Sequence, residues 1–206
     1  MSNLTLANRI WPEASSSNLV RNGVLAVVGS LVVAAAAQIT VPMWPVPMTL
    51  QTLAVLAVGG AYGARLGAAT LGLYALEGAV GLPFFAGAKS GLFDAKLDYL
   101  LPASSMGYVL GFIMAAYLVG KLVESGWANT LLKSVVATLA GAVVLYVPGL
   151  IWLAIWASTT GVVPEGQTAV QAALAWGLLP FLLGDTVKAI IAGLAVPAAG
   201  VLFGKK

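Results

Sequence analysis

GVLAVVGSLVVAAAAQITV, residues 23–41, is an apolar run without a single charged side chain. A helix needs about 20 such residues to cross the hydrocarbon core of a bilayer, so this stretch decides what surrounds the chain. Its alanine-rich end resembles a signal-peptidase site, but the run is nearly long enough to span, and a retained span is the expectation. The composition agrees. Of 206 residues, 60% are hydrophobic and only 8% charged, with a mean hydropathy of +0.98. A soluble domain carries about 25% charged residues. With so few charges the chain has no means of covering a water-facing surface, and its main solvent is lipid.

Working outward from that run, residues 1–20 are polar and six apolar stretches follow. They lie at about 22–41, 48–63, 65–82, 104–123, 131–159 and 180–203, and predict an all-α bundle of six transmembrane helices in a single domain over residues 1–206. Pro42 ends the first stretch, Gly81 and Pro83 close the third, and Pro180 opens the last, where its missing N–H is harmless. TAVQAALAWGL, residues 168–178, is too short to span and reads as an interfacial helix.

Lysine and arginine set the orientation. With the N-terminus inside, Arg9, Arg21, Arg65, Lys121, Lys133, Lys205 and Lys206 fall on the cytoplasmic side. Only Lys89 and Lys96 fall outside, balanced by Asp94 and Asp98, while Lys188 falls within a span. This positive-inside bias requires an even number of spans and places both termini in the cytoplasm. The net charge of +3 is then a basic membrane face rather than a nucleic-acid surface. Trp44, Trp152, Trp156 and Trp176 come near the outer interface, and Trp11 and Trp127 near the inner one, where belt tryptophans are expected.

The residue inventory excludes several functions. There is no cysteine and no histidine, which removes disulfides, thiolate or imidazole metal sites and the ordinary general base near neutral pH. GLPFFAGAKSG, residues 81–91, looks at first like a phosphate loop, but a P-loop reads G-x-x-x-x-G-K-[ST] after a strand. Here five residues separate Gly81 from Gly87, and Ala88 intervenes before Lys89. The stretch opens a long outward connection, and its glycines, Phe84, Phe85 and Lys89 suit a lid over a pocket better than a passive connector.

LLGDTVKAI, residues 182–190, puts Asp185 and Lys188 inside the last span. A charge at the bilayer centre costs roughly 2.5–3.5 kcal/mol on insertion scales, and intramembrane charges mark function by default. Three residues apart, the two share a helix face. Counted from Pro180, Asp185 is about 8 Å along the helix, below the outer surface. Together they offer an acceptor and a donor for a urea or amide, or else form a structural ion pair. Gln51 is either a ligand group or an interfacial amide. Glu77 reads as a pocket-rim acid or a carboxyl neutralised by burial. Tyr108 reads as belt or ligand. Ala26, Ser30 and Ala34 form a small-residue stripe that lets another helix approach, either within this bundle or on a partner.

Four segments in order, ITVPMWPVPMTLQTLAV, LGLYALEGAVGLPFFAGAKSG, SMGYVLGF and LPFLLGDTVKA, resemble the BioY family, the biotin-binding S components of energy-coupling factor (ECF) vitamin transporters. The likeness runs from about residue 20 to 203. It implies six spans in the cell (inner) membrane and high-affinity capture of biotin near the outer face, with the loops after spans one and three closing over it. It also implies that Asp185 and Lys188 serve the ureido ring, that the Ala26, Ser30 and Ala34 stripe docks a membrane scaffold subunit joined to two cytoplasmic ATPases, and that the S component topples within the membrane during transport. The chain itself has no ATPase motif. The ligand-binding set expected is Asp185, Lys188, Lys89, Gln51, Glu77, Tyr108, Trp44 and Phe85, with biotin as transported ligand, no cofactor and no catalysis. The sequence departs from the pattern it resembles where many members of that family read a glycine-rich loop followed by GPTGGY. Here DAKLDYLLPASSMGY, residues 94–108, stands instead. The biotin carboxylate then has Lys89, Lys96 or Lys188 as its cation, with Lys89 favoured. An enzyme using Asp185 and Lys188, an S component for another vitamin, and a stand-alone transporter are the competing readings.

Overall fold

The computed structural model describes residues 5–11, 18–91 and 103–202. In chain order the elements are α1 (Leu6–Ile10), α2 (Asn18–Gln38), a hairpin of β1 (Thr40–Val41) and β2 (Met48–Thr49), α3 (Gln51–Tyr62), α4 (Ala64–Ala79), α5 (Met106–Glu124), a 3-10 turn (Trp127–Asn129), α6 (Leu131–Thr160), α7 (Ala169–Gly177) and α8 (Leu182–Leu202). The hairpin is antiparallel and pairs Thr40 with Thr49 and Val41 with Met48.

Among the described residues, four helices are long and apolar enough to cross a membrane: α2, α5, α6 and α8. Two of the six expected spans are shorter than anticipated. At 1.5 Å per residue, α3 reaches about 18 Å and α4 about 24 Å, against a hydrocarbon core of about 30 Å. Residues 48–49 leave the expected second span to pair in the hairpin. Gly63, at φ +86°, ends α3 one residue before α4 begins. The first span likewise stops at Gln38 because Thr40 has turned into the hairpin. The segment expected to form a short helix is α7, opened by a Thr168–Gln171 capping box.

In lipid, helix association depends on close packing rather than on a hydrophobic drive, and small residues supply it here. A Cβ on Gly59 would lie 2.7 Å from the Ala116 carbonyl oxygen, so α3 and α5 touch backbone to backbone. A Cβ on Gly193 would lie 2.6 Å from Val135 Cα, which brings α8 equally close to α6. Thr138 adds a hydrogen bond across that contact, its hydroxyl donating to the Ala189 carbonyl at 2.7 Å.

The stripe on α2 takes the same role. Ser30 is fully buried and Ala34 nearly so, Ala26 is half-buried, and a Cβ on neighbouring Gly29 would meet Thr70 and Tyr62. These small side chains let α2 lie against α3 and α4, so Ser30 and Ala34 face the bundle itself. The open face of α2 carries Val24, Val27, Val28, Leu31 and Val32 instead.

One end of the bundle is tied by polar groups. Arg21 is buried and donates to the Trp11 carbonyl and to Asn8 Oδ1, both at 2.6 Å, which fixes α1 against the start of α2. Glu124, at the end of α5, accepts from the Ala64 amide at 2.8 Å and so caps α4, a favourable place for a carboxylate.

Candidate ligand-binding site

At the opposite end a cavity of about 660 Å³ opens between α3, α4, α5, α6 and α8, beneath the segment at 44–49 and the loop at 85–91. Small-molecule sites occupy roughly 300–1,000 Å³.

Asp185 is the charged group of its deep wall. It is 5% exposed and comes from the first turn of α8. Both carboxylate oxygens are held: Oδ2 accepts from the Tyr146 hydroxyl at 2.6 Å, and Oδ1 from Lys188 Nζ at 2.9 Å. Each oxygen retains acceptor capacity for a ligand. Lys188 is not on the wall. It stands behind Asp185, where Nζ also donates to the Thr49 carbonyl at 2.7 Å. The two charges therefore do not both line the cavity as expected: the ammonium gives one donor to Asp185 and one to the hairpin backbone, tying α8 to β2.

Gln51 and Tyr74 begin a relay on the other side. Thr49 Oγ1 donates to Gln51 Oε1 at 3.0 Å, Gln51 Nε2 donates to the Tyr74 hydroxyl at 2.6 Å, and that hydroxyl lies 3.2 Å from the Phe84 carbonyl. Gln51 and Tyr74 are buried wall residues, so Gln51 is no interfacial amide. Tyr108 also lines the cavity. Its hydroxyl donates to the Gly177 carbonyl at 2.8 Å, and its ring meets Tyr146 edge-on at 6.2 Å; it is buried rather than part of an interfacial belt.

Aromatic groups and one cation cover the mouth. Phe85 sits edge-on to Tyr74 at 5.8 Å and rests on Gly78, where a Cβ would collide with its ring. Trp44 is 64% exposed and packs edge-on against Trp176 at 5.2 Å and Trp156 at 6.3 Å. Trp156, expected in an interfacial belt, is buried in the wall. Lys89 is exposed and borders the cavity from the loop. Ser104 secures the mouth by donating to the Pro45 carbonyl at 2.7 Å. Glu77 is not on the wall, and its Oε2 is buried without a hydrogen-bond partner, so the pocket-rim placement is corrected. Lys96, Asp94 and Asp98 lie outside the described residues.

Tyr74, Tyr146 and Trp156 escaped the sequence reading as site residues. Tyr146 carried one usable signal: a hydroxyl in an otherwise apolar stretch needs a partner away from lipid.

The sequence model of the BioY family matches residues 7–204. The chain belongs to the BioY family. A probable biotin transporter BioY of Pyrococcus horikoshii is 32% identical over 156 residues, 76% of this chain and 82% of that protein. The biotin transporter BioY of Rhizobium etli is 32% identical over 157 residues, 73% and 75% of the two chains. The crystal structure of an S-component for biotin from an ECF-type ABC transporter shares the fold, with a TM-score of 0.70 and 21% identity over 94% of this chain and 96% of that one. BioY proteins are transport components rather than enzymes, and this BioY chain is a multi-pass membrane protein.

Proposed function

We propose that this chain takes up biotin as the substrate-capture S subunit of an ECF-type ABC transporter of the cell (inner) membrane. The observation that carries the reading is Asp185: a buried carboxylate on the wall of a ligand-sized cavity, with both oxygens positioned by Tyr146 and Lys188. A ureido ring offers N–H donors in one plane, and an ionised carboxylate accepts them. Lys89, at the exposed mouth, offers a cation to the valerate carboxylate, and Phe85 and Trp156 give the aliphatic and thioether parts an apolar lining. Gln51 holds the opposite wall, Tyr108 backs Tyr146, and Trp44 covers the top. In this reading Lys188 positions Asp185 and does not touch biotin.

The chain crosses the membrane six times, with α3 and α4 as short passes, both termini in the cytoplasm and the cavity outward. The positive-inside distribution supports that orientation. ATP hydrolysis belongs to partners: a membrane scaffold and two cytoplasmic ATPases.

The test is titration of the purified protein with biotin, followed by tryptophan fluorescence, with Asp185→Asn alongside. Hydrogen bonds to charged groups contribute about 1.5–3 kcal/mol, so Asp185→Asn weakens binding roughly 10- to 150-fold. Folded wild type that fails to bind biotin overturns the reading. Binding equally tight in Asp185→Asn keeps the ligand and moves the site. Co-purification with a scaffold and ATPases separates an ECF subunit from a stand-alone transporter.

A further inference from the structure

Gln38 is the last residue of α2 and does not line the cavity. Its carboxamide nevertheless grips the loop that does. Nε2 lies 3.2 Å from the Phe85 carbonyl oxygen and 3.2 Å from that of Ala34, its own last turn, while Oε1 accepts from the Ala88 amide at 2.9 Å. One planar side chain therefore holds the loop backbone at two points, one through a donor and one through an acceptor. Among uncharged side chains with that dual capacity, an amide offers both in a fixed geometry.

The loop needs such a hold. Gly87 has φ +71° and Ala88 φ +56°, and the left-handed region is uncommon for a residue with a Cβ. The other backbone ties of this turn are a Phe85 amide to Lys89 carbonyl bond at 3.0 Å and a Gly91 amide to Gly78 carbonyl bond at 2.8 Å. The first is internal to the turn and the second anchors only its end. Gln38 also stands directly before the hairpin, whose base is closed by the Leu50 amide donating to the Ile39 carbonyl at 3.1 Å. The same point of the chain thus joins the two segments that cover the cavity.

We propose that Gln38 is a latch: a positioning residue, outside the ligand's contacts, that holds the 85–88 turn closed and sets how long the bound ligand stays. The proposal deepens the biotin-binding reading and rests on it.

The experiment compares wild type with Gln38→Ala and Gln38→Glu in detergent. Stopped-flow tryptophan fluorescence follows biotin association and dissociation, and backbone hydrogen exchange is read on the ligand-free proteins. Losing the latch shortens residence, and interface changes act mainly on dissociation. Both variants are expected to release biotin about tenfold faster, with association changed by less than about twofold and the melting temperature of the free protein unchanged. Raised exchange is expected to be confined to residues 85–91. Gln38→Glu keeps an acceptor for Ala88 but sets a carboxylate against the Phe85 carbonyl, so it releases at least as fast as Gln38→Ala. Dissociation and loop exchange equal to wild type overturn the latch. So does exchange raised along the whole of α2 with a lower melting temperature, because Gln38 is then only a helix-end support. Wild type that binds no biotin sinks the ligand reading, while the exchange comparison still decides whether Gln38 holds the loop.

Discussion

Asp185 is a costly residue to keep in a membrane helix, and two partners make it tolerable. The Tyr146 hydroxyl and the Lys188 ammonium each take one of its oxygens. Removing one partner leaves the carboxylate underbonded in a poorly hydrated place. Tyr146→Phe deletes a single hydroxyl and its 2.6 Å bond. An unsatisfied buried group costs about 1–3 kcal/mol, so a melting temperature several degrees lower and weaker biotin binding are expected. Equal stability and affinity would mean that water replaces the hydroxyl at no cost. Lys188→Met is harsher, because breaking a buried ion pair by removing one partner costs about 3–5 kcal/mol. The double variant Asp185→Asn with Lys188→Met removes both charges and is expected to melt above Lys188→Met alone while still binding biotin poorly. Additive losses in the double variant would show that the two side chains act independently.

At the scale of elements, α4 and the loop after it work as a pair. Phe85 lies on Gly78 because that glycine leaves room for a ring; a Cβ there would come within 2.9 Å of Phe85 Cε2 and closer still to two further ring atoms. Gly78→Ala adds helix propensity, worth up to about 1 kcal/mol, and simultaneously lifts Phe85 off its seat. The expected outcome is an α4 no less stable than before, with biotin released faster in stopped-flow measurements. An unchanged release rate would place Phe85 outside the closure. The long helices were legible in the sequence because runs of about 20 apolar residues have few other solutions. The hairpin was not: its strands are two residues each, in a proline-rich stretch that carries no period-2 pattern. For the same reason the ends of the first two spans were misplaced. Asp185 was legible because a charge in an apolar run must find a partner. The direction of Lys188 was not, since i,i+3 spacing fixes a shared face but says nothing of a carbonyl on a distant hairpin. Gln38 gave no signal at all, because its partners in the loop are backbone atoms about 50 residues away.

For the whole molecule the question is which end faces outward. Among the described residues, several of the basic side chains gather at one end, away from the cavity. Glu124 caps the start of α4 beside Gly63, and Thr5 lies against the same glycine, so α1, the start of α4 and the end of α5 share one level. Arg9, Arg65 and Lys121 belong to those elements, and Lys133 follows in the first turn of α6. At the far end the Pro45 carbonyl meets Ser104, Trp152 donates to the Ala103 carbonyl, and Lys89 borders the cavity. Basic residues favour the cytoplasmic side of short loops, so the cavity end is expected to face outward. The chain contains no cysteine, which makes this directly measurable with single introduced thiols. Glu165→Cys, in the connection between α6 and α7, and Ser125→Cys, in the turn after α5, lie at opposite ends of α6, one of the helices long and apolar enough to cross. In intact cells a membrane-impermeant maleimide is expected to label Glu165→Cys and to spare Ser125→Cys until the membrane is opened. The reverse pattern would turn the cavity toward the cytoplasm and make capture from outside untenable. Labelling of both in intact cells would mean that α6 does not cross, and the six-pass arrangement would fall with it.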